Sequence, residues 1–330
     1  MPFSEIVGHQ RQLEILRAGL KSGRLHHAYL FWGPEGIGKK SAALSFAMAM
    51  HCSQGHFDSC GQCQSCVSIV GGNHPDVSLV GLQAQKKEIS IEQIRELQHR
   101  LSFRSLSGKS KVVIIDPAQL MNYHAQNALL KTLEEPPGGS IIVLIARHIG
   151  GVIPTVLSRC LHLAFTPPSP DLVAELLVRK KGMAADQARL LATVSMGSPG
   201  EALASDPGLY LEERGLWLDR LSSLSPGDYR GILELAGDAA GDREQALFFL
   251  KWMEAWYQDV LTLQVMGRAG RVRNADRIEE IRRRAALSGP EETVSILARI
   301  GRVTWEIQRN FNSRMALENL LIQASATLSK

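Results

Sequence analysis

GPEGIGKK, Gly33–Lys40, decides how this 330-residue chain is to be read. Gly33, Gly36 and Gly38 with Lys39 behind them form the phosphate-cradling part of GxxxxGK[ST]. Glycine is needed there because any Cβ obstructs the tight turn and the close approach of backbone amides to phosphate oxygens. Position 40 breaks the pattern. A lysine stands where a serine or threonine hydroxyl holds Mg²⁺, and an ammonium cannot ligate a cation. Lys40 either repels the metal or replaces part of its charge beside the phosphates. The expectation is a loop that binds ATP or ADP without hydrolysing it, with a glycine turn that never meets nucleotide as the alternative.

Working outward, Ala28–Trp32 is an apolar run that delivers the chain into the loop, and 40–50 reads as the helix the loop opens, its N-terminus aimed at phosphate. Further strands are expected at 76–80, 111–115, 140–146 and 161–165, with helices at 90–101 and 122–134 and a capping box from Ser90 to Gln93. Strands separated by helices predict an α/β domain with a parallel sheet covered on both faces. Thr166–Pro170 is proline-rich and ends that block. A few short helices follow to Ala204, closing at the Gly197–Gly200 turn. Beyond Tyr210 only long amphipathic stretches remain, such as Arg243–Met266 and 291–309, which predict an all-α bundle.

Composition bounds the rest. The chain is 45% hydrophobic with a formal charge of +4 and a pI near 8.8, an ordinary globular balance too mild to mark a nucleic-acid footprint. No apolar run reaches the roughly 20 residues of a membrane span, and Met1–Glu5 lacks the basic and apolar regions of a signal peptide, so a cytoplasmic protein is expected. Four of the five cysteines, Cys52, Cys60, Cys63 and Cys66, crowd into fifteen residues with gaps of seven, two and two. In a reducing compartment that spacing favours a Cys₄ Zn²⁺ site over disulfides, structural because no position is left for water. His51 and His56 are near enough to substitute but are expected to be solvated. Cys160 reads as a packed small hydrophobe.

KVVIID, Lys111–Asp116, is laid out as a strand ending in a carboxylate that supports Mg²⁺ from the opposite side, though a turn cap is the competing reading of Asp116. Pro117 follows, without a side-chain oxygen to orient water. Arginines at Arg268, Arg271, Arg273, Arg277, Arg282, Arg283 and Arg284 read as a solvated helix face with Asp276, Glu279 and Glu280 rather than as a DNA site. Trp252, Trp256, Tyr257, Trp305 and Phe311 read as core or collar packing, not base-stacking platforms.

HAYLFWGPEGIGKK, then NYHAQNALLKTLEEPP at Asn122–Pro137, then TVLSRC at Thr155–Cys160 resemble, in order and spacing, the clamp-loader branch of the AAA+ proteins, in bacteria part of the DNA polymerase III holoenzyme. The likeness covers essentially the whole chain. It implies an AAA+ core over residues 1–165 with a zinc module at about 52–66, a helical lid over 166–206 and a collar over 207–330. It implies a hetero-pentamer with gamma/tau and delta subunits that loads a sliding clamp onto primer-template DNA during replication. It also implies that Arg159, the arginine of SRC, acts as an arginine finger in a neighbour's ATP site. Two further departures from motor subunits follow: Ala146 and Arg147 replace a polar sensor after the fourth strand, and GSPGEAL has Gly200 at the place of a second sensor arginine. With Gly33, Gly36, Gly38, Lys39, Lys40 and Asp116 forming a vestigial nucleotide site, the expected role is a stator without ATPase activity of its own. An active gamma/tau-type motor and a stand-alone zinc-containing nucleic-acid binding module remain as alternatives.

Overall fold

A sheet whose central strands are apolar on both faces can only sit between two layers of helices. In the computed structural model, which describes residues 2–55, 57–84, 86–107, 109–204, 206–225, 227–267, 272–309 and 311–326, that is the arrangement found. The chain divides into two compact units on either side of Ser205.

In the first unit the elements run α1 (Gln10–Ser22), β1 (Ala28–Trp32), α2 (Lys39–His51), α3 (Gln64–Val70), β2 (Val77–Val80), α4 (Ile91–Ser102), β3 (Val112–Ile115), α5 (Tyr123–Glu134), β4 (Ile141–Ala146), α6 (Pro154–Leu157) and β5 (Leu161–Ala164). Helices α7 (Pro170–Lys181), α8 (Ala185–Val194) and α9 (Pro199–Ala204) complete it. All strand pairs are parallel, in the order β2-β3-β4-β1-β5, with Leu30 opposite Leu144 and His162. This is the parallel sheet, with a phosphate loop after its first strand, that the sequence predicts.

Alternation along each strand assigns the two faces. Tyr29, Phe31, Val112, Ile114, Val143 and Ile145 pack with Leu13, Leu16, Phe46 and Ile69 from α1, α2 and α3. Leu30, Val113, Ile115, Ile142 and Leu144 face the other way, onto Ile94, Leu97, Ala125 and Leu129 of α4 and α5. Each fully buried aromatic or branched side chain here contributes roughly 1.5–3 kcal/mol, so these layers fix the register of the strand ends. The Ser90 amide donates to Gln93 Oε1 at 3.1 Å, closing one half of the expected box at the start of α4.

The second unit is helical throughout its described residues: α10 (Pro207–Ser223), α11 (Tyr229–Ala239), α12 (Arg243–Met266), α13 (Ile278–Ala286), α14 (Pro290–Gln308) and α15 (Ser313–Ala326). Asp206, Asp228 and Asp242 cap α10, α11 and α12 through side-chain oxygens. Phe249, Trp252, Met253 and Trp256 line the buried face of α12, which packs on α14. Arg214, only 2% exposed, is held in a bidentate pair by Asp276 at 2.7 and 2.8 Å and by Asn274. Trp305 and Phe311 depart from the core reading, since both are exposed, Trp305 under the Arg309 guanidinium 4.1 Å from its ring centre. No described helix is long and apolar enough to cross a membrane.

Candidate functional site

β1 runs out of the sheet at Trp32 and the chain turns through the glycine loop into α2. Gly33 lies so close to the Phe165 carbonyl that a Cβ would sit 2.1 Å from its oxygen, and its φ of +145° suits glycine alone. Gly36, at φ +72°, is pressed against the start of α9: its carbonyl accepts from the Gly200 amide at 2.9 Å, and a Cβ would come 2.1 Å from Ser198 Oγ. Lys39 opens α2, 6% exposed, its Nζ donating to the Gly33 carbonyl at 2.6 Å and also to that of Pro34. Burial pulls its pKa below the ordinary lysine value, opposed by the carboxylates of Asp116 and Glu35.

Around this loop lies a cavity of about 530 Å³. One wall is apolar, with Ile6, Val7, Leu176 and Leu203; the other carries Gly36, Lys39, Lys40, Ser41, Asp116 and Arg147. Lys40 Nζ stands 3.9 Å from Asp116 Oδ2. Burial pushes the Asp116 carboxyl above its usual range, against the pull of Lys40 and then Lys39. Asp116 thus faces a cation across the site and does not serve merely as a turn cap. Arg147 pairs with Glu35 at the rim, and Lys180 with Glu5 at 3.7 Å. Every carboxylate lining the cavity therefore faces a protein cation, and none is left as a ready base for water. The glycine cradle, the buried Lys39 and the apolar wall fit a nucleoside phosphate; the ammonium at position 40 does not fit Mg²⁺, which needs oxygen ligands.

At the other end of α2 the four cysteines converge. Their Sγ atoms all lie within 4.8 Å of one another, with Cys52 and Cys63 at 3.9 Å, close to the roughly 3.8 Å edge of a tetrahedron with Zn–S near 2.3 Å. Backbone amides of Gly55 and Cys60 point at Cys52 Sγ, and those of Gln62 and Cys63 at Cys60 Sγ. Such donors stabilise thiolate: amides of Ser53 and Cys66 hold the Cys63 thiol down at about 5, while burial pushes Cys66 up to about 12. The donor set fits a closed tetrahedral metal ion. His51, expected to be solvated, is buried instead, its ring tilted against that of His74 with centroids 4.6 Å apart and its pKa held down at about 4 by that burial; His56 lies outside the described residues. Cys160 is half-buried against the second core layer, its thiol pushed up to about 12 by burial.

Arg159 stands apart from the cavity. It follows α6, before β5, with Nη1 donating to the Thr155 carbonyl at 2.8 Å and Nη2 to Glu134 Oε1 at 2.5 Å. Its side chain is 35% exposed. Of the arginine cluster, Arg268 and Arg271 lie outside the described residues. Arg277 pairs with Asp219 and Glu280, Arg282 with Glu279, and Arg273 reaches Gln258; Arg284 departs from the solvated reading, being buried against Tyr257 and the Ala324 carbonyl.

The profile of a family described as DNA polymerase III, delta subunit matches residues 8–169. DNA polymerase III subunit delta' of Escherichia coli is 33% identical over 251 residues, covering 74% of this chain and 73% of its own length. The chain belongs to the delta' family of DNA polymerase III subunits. Its delta' relative from Bacillus subtilis is 28% identical over 330 residues, 94% of each chain. A gamma/tau subunit from Mycobacterium bovis is 34% identical over 208 residues, 61% of this chain and 36% of that one. A solved gamma-subunit-related protein from Thermotoga maritima overlays 96% of this chain and 99% of its own at a TM-score of 0.49 and 18% identity.

Several parts of this delta' family site carry no sequence signal. His9 is one: it enters α1 at φ +60°, its Nε2 2.7 Å from the Ile37 carbonyl, buried under the loop and packed on Phe165. The Glu35–Arg147 and Gly36–Gly200 contacts join segments more than a hundred residues apart. Gly200 had a signal only as a missing arginine, and its contact with the loop had none.

Proposed function

We infer that this chain is the non-hydrolysing, stator-like member of a bacterial clamp loader, helping to load the sliding clamp onto primer-template DNA and lending Arg159 to a neighbouring ATPase subunit. The observation that carries the reading is Lys40, an ammonium 3.9 Å from Asp116 where a hydrolytic site needs a metal. Pro117, Ala146 and Gly200 point the same way, since none brings a side chain that could orient water or steady a γ-phosphate. Relatives named as delta' and gamma/tau subunits of DNA polymerase III support assembly with other subunits, read here as a hetero-pentamer with gamma/tau-type and delta partners. In this reading 1–165 is the core, 166–206 the lid, 207–330 the collar, and the cysteines hold a structural Zn²⁺.

Arg159 suits the role because a planar, permanently charged guanidinium can leave one carboxylate for the charge developing on a transferred phosphoryl group. Arg159→Ala in the reconstituted complex should leave assembly intact and lower ATP turnover at the recipient site by ~10³-fold. Unchanged turnover removes the finger. An active gamma/tau-type motor draws on the M. bovis likeness; steady ATP turnover by the isolated chain, abolished by Lys39→Ala, would decide for it.

A further inference from the structure

We propose that the cavity between the phosphate loop and the lid takes a nucleoside di- or triphosphate with no divalent cation, Lys40 occupying the metal's place. The proposal rests on the silent-site reading above and adds to it what the site still binds, and how.

Three observations lead there. The cradle is complete: Gly36 and Gly38 keep left-handed φ values, and α2 begins at Lys39, whose buried ammonium is held on the loop's own carbonyls and can turn to phosphate oxygens without leaving the loop. The cavity is also walled, because the Gly200 amide ties the lid to the Gly36 carbonyl and keeps Leu176 and Leu203 over the space where a base would lie. Finally, the ionised groups on the loop side are Lys39, Lys40 and Arg147 against Glu35 and Asp116, three positive to two negative. A polyphosphate therefore enters a site of net positive charge before any metal is added.

A divalent ion finds the opposite. Mg²⁺ keeps near-octahedral oxygen ligation at about 2.0–2.1 Å and would approach Asp116, where Lys40 already stands at 3.9 Å. It would lose the hydroxyl ligand and gain a repelling ammonium. Lys40, 63% exposed at its side chain, is free to swing from Asp116 onto phosphate oxygens, making the charge-assisted hydrogen bonds that a metal otherwise replaces. The same ammonium that removes hydrolysis thus keeps a charge partner for the ligand.

Isothermal titration of the full chain with ADP, in EDTA and again in MgCl₂, reads this directly. The expected result is binding with Kd equal in the two buffers within about twofold, whereas Lys40→Thr binds at least about tenfold more weakly in EDTA and recovers with Mg²⁺. Because the Lys40 side chain is largely exposed, the variant should fold, and its circular dichroism spectrum checks that. Binding at least about tenfold tighter with Mg²⁺ in the wild type, equal metal-free binding by Lys40→Thr, or no ADP binding in either buffer would each overturn the proposal. Metal-free binding by Lys40→Thr or a failure to bind ADP leaves the silent-site reading standing, Mg²⁺-tightened binding removes its support from Lys40, and ATP turnover by the chain alone overturns it.

Discussion

The two ends of α2 hold the two candidate sites of this chain, and they differ in what they keep. At the N-terminus the cradle survives while the metal ligand is gone, so a protein cation sits opposite Asp116. At the C-terminus all four donors survive, drawn together at metal-binding distances. The first site is an open cavity lined by paired charges; the second draws its four donors into a partly buried cluster. In the proposed reading one helix carries a lost metal position and a kept one because they serve different ends. A catalytic position needs an open ligand and is lost with one side chain, whereas a structural position contributes to folding and its loss is felt by the whole segment.

The strongest way to break this contrast is Cys66→Ser. If the C-terminal end holds a structural ion, one missing thiolate should abolish near-stoichiometric zinc in gently purified protein. It should also lower the Tm of the first unit by about 10 °C or more, given roughly 2–4 °C per kcal/mol for a unit of this size. Elemental analysis with differential scanning calorimetry measures both. Zinc-free wild-type protein with the same Tm would place the cysteines in ordinary packing and erase the difference between the two ends.

Gly36→Ala sharpens the other side. A side chain here must both adopt a left-handed φ of +72° and displace Ser198, whose Oγ lies 2.1 Å from the added Cβ. The expected loss is about 2–3 kcal/mol in urea unfolding, with faster amide exchange at Gly200 as α9 lifts from the loop. Unaltered protection at Gly200 would mean that α9 is held by its packing on α7 and α8 and not by the loop.

These sites differ in how far they can be read from sequence. The strands, the glycine loop and the cysteine spacing were all legible, because a buried parallel strand, a phosphate turn and a Cys₄ ligand set each impose residue types at fixed local intervals. Lys40 and Pro117 were legible as breaks in such patterns. Helix α1 is not among the expected elements, and α3, seven residues long, is hidden by the cysteine it shares with the insertion. The burial of His51, the His9 contact with Ile37 and the Arg147–Glu35 pair were illegible for a different reason. Each depends on which surfaces meet after the sheet has assembled, and none repeats with a local period.

The smallest expected effect concerns the support behind the C-terminal end of α2. Asp76, 2% exposed at the start of β2, accepts from Ser105 Oγ at 3.0 Å and from the amides of Leu106 and Ser107 at 3.0 and 2.7 Å; Ser107 Oγ in turn lies 3.4 Å from His51 Nδ1. Burial alone would raise the Asp76 carboxyl, but these donors outweigh it and hold the group down at about 2. The unfolded chain binds this proton near pH 4, the folded chain only near pH 2, so the ionised cradle contributes roughly 2 kcal/mol above pH 4 and loses it progressively as the pH falls towards 2. Asp76→Asn should therefore cost about 2 kcal/mol at pH 7, and the gap between variant and wild type should narrow in urea titrations between about pH 4 and pH 2. A gap that stays constant over that window would show that Asp76 acts through shape and not charge.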